Sequence, residues 1–353
     1  MSNPTEVGLD YPARLLAPLA DPASLAYAPH PFGLPSARQA AAADFARRGV
    51  QVPEGRVVLT ASTSEAYSFL FKLLCDPGDA VLVPRPSYPL FDHLTELDAV
   101  EARPYALDYH GRWSVDFDSL DRALTPRTRA VLVVSPNNPT GSFLSARDLP
   151  RLAAFCAEHR LAVVGDEVFA DYAFDGVSAP PSVLSIDDTL AFGLGGLSKS
   201  AGLPQLKLGW IGVSGPDGLV AEALGRLEVI CDSYLSVGTP VQRAAGALIA
   251  DADRMRGQIR ARVQRNFATL RRVAADYPSC EALPIEGGWS AVLRVPATTS
   301  EEDLVVGLLE DDGVVVYPGF FFDFAHEAFL VASLLPQPEV FEPAVRRVLE
   351  RCA

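Results

Sequence analysis

Apolar residues recur along the first part of this chain in short runs that scarcely alternate with polar ones. Val57–Thr60, Ala80–Pro84, Ala130–Ser135, Leu161–Asp166, Thr189–Gly193 and Leu208–Val213 are such runs, rich in β-branched residues. Runs of this kind predict strands buried on both faces. Between them lie stretches with the spacing of amphipathic helices: Glu65–Leu74, Phe117–Leu124 and Leu149–His159. Strands separated by helices predict an α/β fold, a three-layer structure around a mainly parallel sheet. From Pro216 to Tyr277 the chain becomes rich in Arg, Ala and Leu with few breakers, a mostly helical pattern. Strand-like Ala291–Val295 and Val314–Tyr317 and helical Pro338–Arg351 follow, so a smaller α+β domain is expected last. The division this suggests is an N-terminal arm over 1–32, a large domain over 33–238 and a small domain over 239–353.

Composition narrows the function classes. At 49% hydrophobic and 21% charged, the 353 residues are those of an ordinary globular protein. No apolar run reaches the roughly 20 residues that span a bilayer, and Met1 to Asp10 lacks the basic and apolar regions of a signal peptide. A net charge of −14 argues against nucleic acid as a partner. The five cysteines are widely spaced and form no CxxC pair, so neither structural zinc nor a disulfide framework is expected. A reducing cytoplasm is the expected location.

The charge pattern also singles out one residue. The chain has three lysines against twenty-seven arginines, and two of the three are Lys199 and Lys207. Guanidinium stays protonated at any working pH, whereas an amine in a suitable environment loses its proton and attacks a carbonyl. Lys199 is therefore the candidate for a covalent site. Three other segments end predicted strands with unusual residues, and ligands in open α/β sheets collect beyond the carboxyl ends of strands. Thr60-Ala61-Ser62-Thr63-Ser64-Glu65 has the spacing of a capping box, whose free N–H groups suit a phosphate. Ser135-Pro136-Asn137-Asn138-Pro139-Thr140-Gly141 is a loop fixed by its prolines and glycine, presenting Asn138. Asp166 closes a buried strand, where a carboxylate needs a cation or several donors.

With these four segments in this order, the chain resembles the fold-type-I aminotransferases of class I/II, which use pyridoxal phosphate. The resemblance implies that Lys199 holds the cofactor as a Schiff base and shuttles the substrate proton. It implies that Asp166 keeps the pyridine nitrogen protonated and that Asn138 donates to the ring's phenolic oxygen. Thr63, Ser64, Ser198 and Lys207 would grip the phosphate, and Tyr88 would stack on the ring. Tyr27, ahead of Pro31-Phe32-Gly33, resembles the tyrosine that reaches the phosphate of a neighbouring subunit, which implies a homodimer.

Three positions depart from the family pattern. Phe169 stands where a tyrosine is usual, so one donor to the ring oxygen is missing and a raised Schiff-base pKa is expected. Gly196 replaces a serine three residues before the lysine, although Ser198 is kept. Val331 stands where an arginine usually clamps the substrate α-carboxylate, and no Arg lies between Arg294 and Arg346. The expected function is transfer of an amino group from an amino acid or amine to a 2-oxo acid, with pyridoxal 5'-phosphate and without a metal. A decarboxylase, lyase or cyclase on the same fold is the alternative, since these share Lys199, Asp166 and Asn138.

Overall fold

The apolar runs form strands because each strand has two faces to bury. The computed structural model describes residues 3–178 and 181–353. Its first elements are α1 (Pro35–Arg47), β1 (Val57–Thr60), α2 (Thr63–Leu74), β2 (Ala80–Arg85), α3 (Leu90–Leu97), β3 (Glu101–Tyr109) and β4 (Trp113–Val115). Next come α4 (Phe117–Ala123), β5 (Thr128–Val134), α5 (Asp148–His159), β6 (Ala162–Asp166), β7 (Ala191–Gly196), α6 (Leu197–Ser200) and β8 (Gly209–Ser214). These eight strands make one sheet in the order β1-β8-β7-β6-β5-β2-β3-β4. Strands β3, β2, β5, β6 and β7 are parallel. Strand β8 runs antiparallel to both β7 and β1, and β4 runs antiparallel to β3.

Successive residues on the central strands enter different cores. Ala130, Leu132, Ala162 and Val164 pack with Tyr67, Leu70 and Phe71 of α2 on one face. Val131, Val133 and Val163 pack with Leu149, Leu152 and Cys156 of α5 on the other. Both faces are dry, so the strands need no polar alternation. The sequence pattern misses β3 because Glu101, Arg103, Pro104 and Asp108 interrupt it. Next to a sheet edge, such residues keep water and proline is tolerated.

The long helical stretch is three helices: α7 (Asp217–Tyr234), α8 (Thr239–Ala250) and α9 (Ala252–Ala274). Leu235 at φ 67 ends α7, and Pro240 sits in the first turn of α8. Val241, Ala244, Ala245 and Leu248 of α8 pack with Ala37, Ala41 and Phe45 of α1 and with Trp210 of β8, so α8 lies on the large sheet. The remaining elements are β9 (Glu281–Ala282), β10 (Ser290–Arg294), α10 (Glu301–Glu310), β11 (Tyr317–Pro318), β12 (Phe329–Ser333) and α11 (Pro338–Cys352). They form a second, four-stranded sheet, β11-β12-β10-β9. Its core joins Leu330 and Ala291 with residues of α9 and α11. Strand β11 is shorter than the apolar run Val314–Tyr317 suggests. No helix among the described residues is long and apolar enough to cross a membrane.

The two sheets meet along residues 286–288. The N–H groups of Glu286 and Gly287 both donate to Gly141 O at 3.0 Å, and Gly288 N–H donates to Tyr172 O at 3.1 Å. Arg112 clasps Glu286 through two bonds of 2.8 and 3.0 Å and also reaches Phe143 O. A Cβ on Gly287 would lie 2.6 Å from Tyr172 O and 3.0 Å from the Phe143 ring, which explains the glycine. Gly287→Ala is therefore predicted to destabilise the protein by about 1–3 kcal/mol through overpacking. Urea unfolding measures this, and a change under about 0.5 kcal/mol would contradict the tight seam described here.

Candidate active site

Strands β1, β2, β5, β6 and β7 all point their carboxyl ends the same way, and each end carries one of the singled-out residues. Thr63 and Ser64 open α2 after β1, Tyr88 follows β2, Asn138 follows β5, Asp166 ends β6, and Ser198 and Lys199 follow β7. Strand β6 lies between β5 and β7, so Asp166 is flanked by the Asn138 and Lys199 loops.

At the start of α2, Ser62 accepts from Glu65 N–H at 3.1 Å. The Glu65 carboxylate reaches back to Ala61 N–H at 2.6 Å, one residue further than the usual box. The helix thus opens with a fixed first turn whose remaining N–H groups point toward the strand ends. Thr60 pairs with Gly209 across β1 and β8, and a Cβ on Gly209 would lie 3.2 Å from the Ser62 carbonyl carbon. Gly196 pairs with the same Gly209 from the other side, and Leu197 N–H donates to Leu208 O at 2.9 Å. Exposed Lys207 stands two residues before Gly209, and half-buried Ser198 two residues after Gly196. A Cβ on Gly196 would stand 3.0 Å from both Leu208 O and Gly209 Cα, so a serine there would need the hairpin backbone to shift by a few tenths of an ångström.

The Asp166 carboxylate accepts from Tyr67 O–H and from Val168 N–H, both at 3.2 Å. Desolvation raises its pKa to about 6 despite these two donors and the charge of Lys199. The Lys199 amine is shifted in the opposite sense, downward, because desolvation outweighs the pull of Asp166. Its Nζ lies 5.4 Å from the centre of the Phe169 ring and 5.2 Å from that of Trp289. It makes no hydrogen bond with the described residues. An amine that loses its charge more readily is the form that attacks a carbonyl.

Asn138 takes Ser290 O–H on its Oδ1 at 3.1 Å, which leaves its Nδ2 as a donor. The loop bearing it is tied to the β2 loop by the neighbouring Asn137. That buried amide donates to Pro86 O at 3.0 Å and to Thr140 Oγ1 at 2.9 Å, and accepts from Ser87 O–H at 3.0 Å. Tyr88 is 47% exposed and Tyr27 74% exposed, so neither is a packing aromatic within this chain. Val331 is 2% exposed, pairs with Val292, and packs among Trp113, Phe322, Phe324 and Phe329. An arginine there would bury its charge in an aromatic box.

Three residues of the site carry no local sequence signal: Tyr67, which the sequence pattern assigns to helix packing, and Ser290 and Trp289, which arrive from the second sheet. Only the 3.6-residue spacing of Tyr67 after Thr63 hints that it shares a helix face with the cap. Among the described residues, no group of His, Cys, Asp or Glu is arranged to hold a metal.

A sequence profile of the family "Aminotransferase class I and II" matches residues 13–347. The glutamate-pyruvate aminotransferase AlaA of Escherichia coli K12 is 28% identical over 247 residues, covering 69% of this chain and 61% of that protein. The chain thus matches about three fifths of the length of that curated relative. Capreomycidine synthase from Streptomyces vinaceus is 31% identical over 288 residues, covering 81% of this chain and 72% of that protein. The solved structure of an alanine aminotransferase from Pyrococcus furiosus superposes with a TM-score of 0.90 at 24% identity, covering 99% of this chain and 90% of that one. That likeness establishes the PLP-transferase fold type I. On the extent of these matches, the chain belongs to the class I and II aminotransferases, whose members use pyridoxal phosphate.

Proposed function

We propose that the protein is an aminotransferase that moves an amino group from an amino acid or amine to a 2-oxo acid through a Schiff base on Lys199. The observation that carries the reading is the pair of opposed desolvated groups: Asp166, with no cation hydrogen-bonded to it, and Lys199, whose amine loses its charge more easily than usual. The donor set fits pyridoxal phosphate. A protonated ring nitrogen supplies the cation that the Asp166 carboxylate lacks, and the start of α2 with Ser198 and Lys207 offers donors to a phosphate. When bound, the group supplies a carbonyl for amine exchange and an electron sink for the substrate carbanion.

The remaining work falls to the chain's own side chains. Lys199 takes the proton from the substrate carbon and returns it, a general-base role worth roughly 10²–10⁴-fold in rate. Asp166 would hold the proton of the ring nitrogen, with Tyr67 orienting that carboxylate. Asn138, its Oδ1 occupied by Ser290, would offer Nδ2 to the ring oxygen. Tyr88 would cover the ring, and Thr63 and Ser64 would hold the phosphate. Exposed Tyr27, with Leu25, Tyr234 and Leu235 also exposed, supports a homodimer in which Tyr27 reaches the partner's phosphate. The five free thiols support a reducing cytoplasm. The expected division 1–32, 33–238 and 239–353 is proposed with one change: α8 (Thr239–Ala250) packs on α1, so the large unit runs to about residue 250 and the small one begins with α9.

A second reading, a decarboxylase, lyase or cyclase on the same site, is favoured by two observations. The position of the usual carboxylate arginine is the apolar Val331, and the relative of 31% identity is named a synthase rather than an aminotransferase. Arg112 is engaged by Glu286, and Arg85 by Asp92 and Asp323.

The visible spectrum of the holoenzyme, mixed with single amino acids and simple amines, tests the function. Conversion of bound cofactor to its amine form with release of a 2-oxo acid or an aldehyde is expected, and Lys199→Ala should lose at least about 10³-fold of that rate. Release of carbon dioxide or ammonia without the amine form would move the enzyme to the second reading. Unchanged turnover in Lys199→Ala would overturn both.

A second prediction concerns Asp166 in the apoprotein. Its carboxyl titrates near pH 6 when folded and near about 3.9 when unfolded. Between those values the folded state keeps a proton that the unfolded state has lost, so this group makes stability fall as pH rises, levelling off above the folded pKa. Tyr67→Phe removes a donor to the charged form, so the fall should extend to higher pH than in the wild type. Urea midpoints measured against pH, variant minus wild type, give the answer. A levelling point that stays put or moves down would show that Tyr67 does not hold the carboxylate.

A further inference from the structure

Nothing hydrogen-bonds the Lys199 amine among the described residues, and its stem has four flexible carbons. Its direction must therefore be set by the rings beside it and by the backbone that carries it. That backbone is one helical turn, α6, which runs on into Ala201 and Gly202 and whose Lys199 carbonyl takes Gly202 N–H at 3.2 Å, leaving it a second lone pair. Three side chains from three distant elements meet carbonyls of this segment. Tyr172 O–H donates to Lys199 O at 2.5 Å, Tyr11 O–H donates to Gly202 O at 2.6 Å, and Arg256 Nη1 donates to Ser200 O at 3.4 Å. Tyr172 follows β6, Arg256 comes from α9, and Tyr11 comes from the N-terminal segment.

The three donors are not independent. Arg256 is held by Asp253 at 2.8 Å and lies 3.7 Å from Asp44. Asp44 binds Arg47 at 2.9 Å, and Arg47 binds Asp171 at 2.7 Å. Asp171 directly precedes Tyr172, and its backbone carbonyl takes Arg260 of α9 at 2.7 Å. A closed circuit thus runs from Lys199 O through Tyr172, Asp171, Arg47, Asp44 and Arg256 to Ser200 O. Asp44, Asp171 and Arg256 are 3, 7 and 6% exposed. Buried ion pairs add little net stability over well-packed apolar groups, so their value lies in fixing geometry. Burial raises the pKa of Tyr11 to about 12 and that of Tyr172 well above its ordinary value, so both phenols remain donors throughout the working range.

We propose that Tyr172, Arg256 and Tyr11 are positioning residues for Lys199, holding its turn so that the amine stays between Phe169, Trp289 and Asp166, with the Asp44–Arg47–Asp171 chain locking Tyr172 and Arg256 together. This rests on reading Lys199 as the cofactor-bearing lysine. It also gives the second sheet a hold on the reacting amine, since α9 and Trp289 belong to that side of the molecule. The titratable group facing the amine is Asp166, with the Tyr67 phenol bonded behind it. Glu167 faces away, toward Arg48 and Ser182.

The test is the rate at which the full-length apoprotein forms a borohydride-trapped bond to pyridoxal phosphate at Lys199. It is read by peptide mass spectrometry from about pH 6 to pH 10, a range that brackets a lysine amine of lowered pKa. Tyr172→Phe and Arg256→Gln should slow trapping by about tenfold or more, the scale on which misplacement of a reacting group is felt. A loosened turn admits water to the amine, so the pH midpoint should also move up, by about one unit. Arg256→Lys should recover part of both effects. If these variants lower the melting temperature but leave the trapping rate and midpoint at wild-type values, the residues are structural only and the proposal is wrong. Should Arg256→Gln fail to fold, Tyr172→Phe, which removes a single oxygen, carries the test alone. Wild-type protein that traps no cofactor at Lys199 would overturn the cofactor reading and this inference with it.

Discussion

A carboxylate and an amine, both drawn away from water, stand at the ends of two neighbouring parallel strands. Burial pushes Asp166 toward keeping its proton and Lys199 toward giving its proton up. Neither shift favours the folded protein by itself, because a desolvated ionisable group weakens a fold unless it is paired. The surrounding structure is arranged around that tension. Tyr67 and Val168 support the charged form of Asp166, two aromatic rings flank Lys199, and an ionic circuit fixes the turn on which the lysine rides. A cationic aromatic ring nitrogen and a reactive carbonyl are the ligand features that would relieve both groups together.

The large sheet was legible because its strands satisfy a simple condition. Val57–Thr60 begins and ends in the structure where its apolar run does, and Val131 and Leu132 each have a core to enter on opposite faces. Strand β3 was not legible, since a strand near an edge meets water and keeps Glu101, Arg103 and Pro104. The long helical stretch looks like one block in sequence because a break needs only one residue: Leu235 at positive φ looks like any leucine. Second-sheet strands were the hardest to place. Two paired residues, Tyr317 and Pro318, suffice for β11, while the apolar run around them is longer.

For the site, the residues at strand ends were readable and those that serve them were not. Lys199, Asp166 and Asn138 each stand in a segment whose local chemistry is unusual. Ser290, which orients the Asn138 amide, is 152 positions away in sequence, and Arg256 is 56 positions from the carbonyl it meets. Such partners become visible only once the chain is folded. The glycine at 196 is a related case: a departure from the family's serine looks like a lost phosphate contact, yet it also suits a tight approach, since a Cβ there would stand 3.0 Å from Gly209 Cα. Val331 is likewise explained from its surroundings, as part of an aromatic box that has no place for a guanidinium.

The most direct test of the central claim is a crystal structure of the protein with pyridoxal phosphate bound. The account predicts continuous density from Lys199 Nζ to the cofactor and the ring nitrogen within hydrogen-bond distance of Asp166. Tyr67 should still be bonded to that carboxylate, and the phosphate should lie at the opening of α2. A cofactor bound away from Asp166, or a ring nitrogen facing an uncharged group, would contradict it.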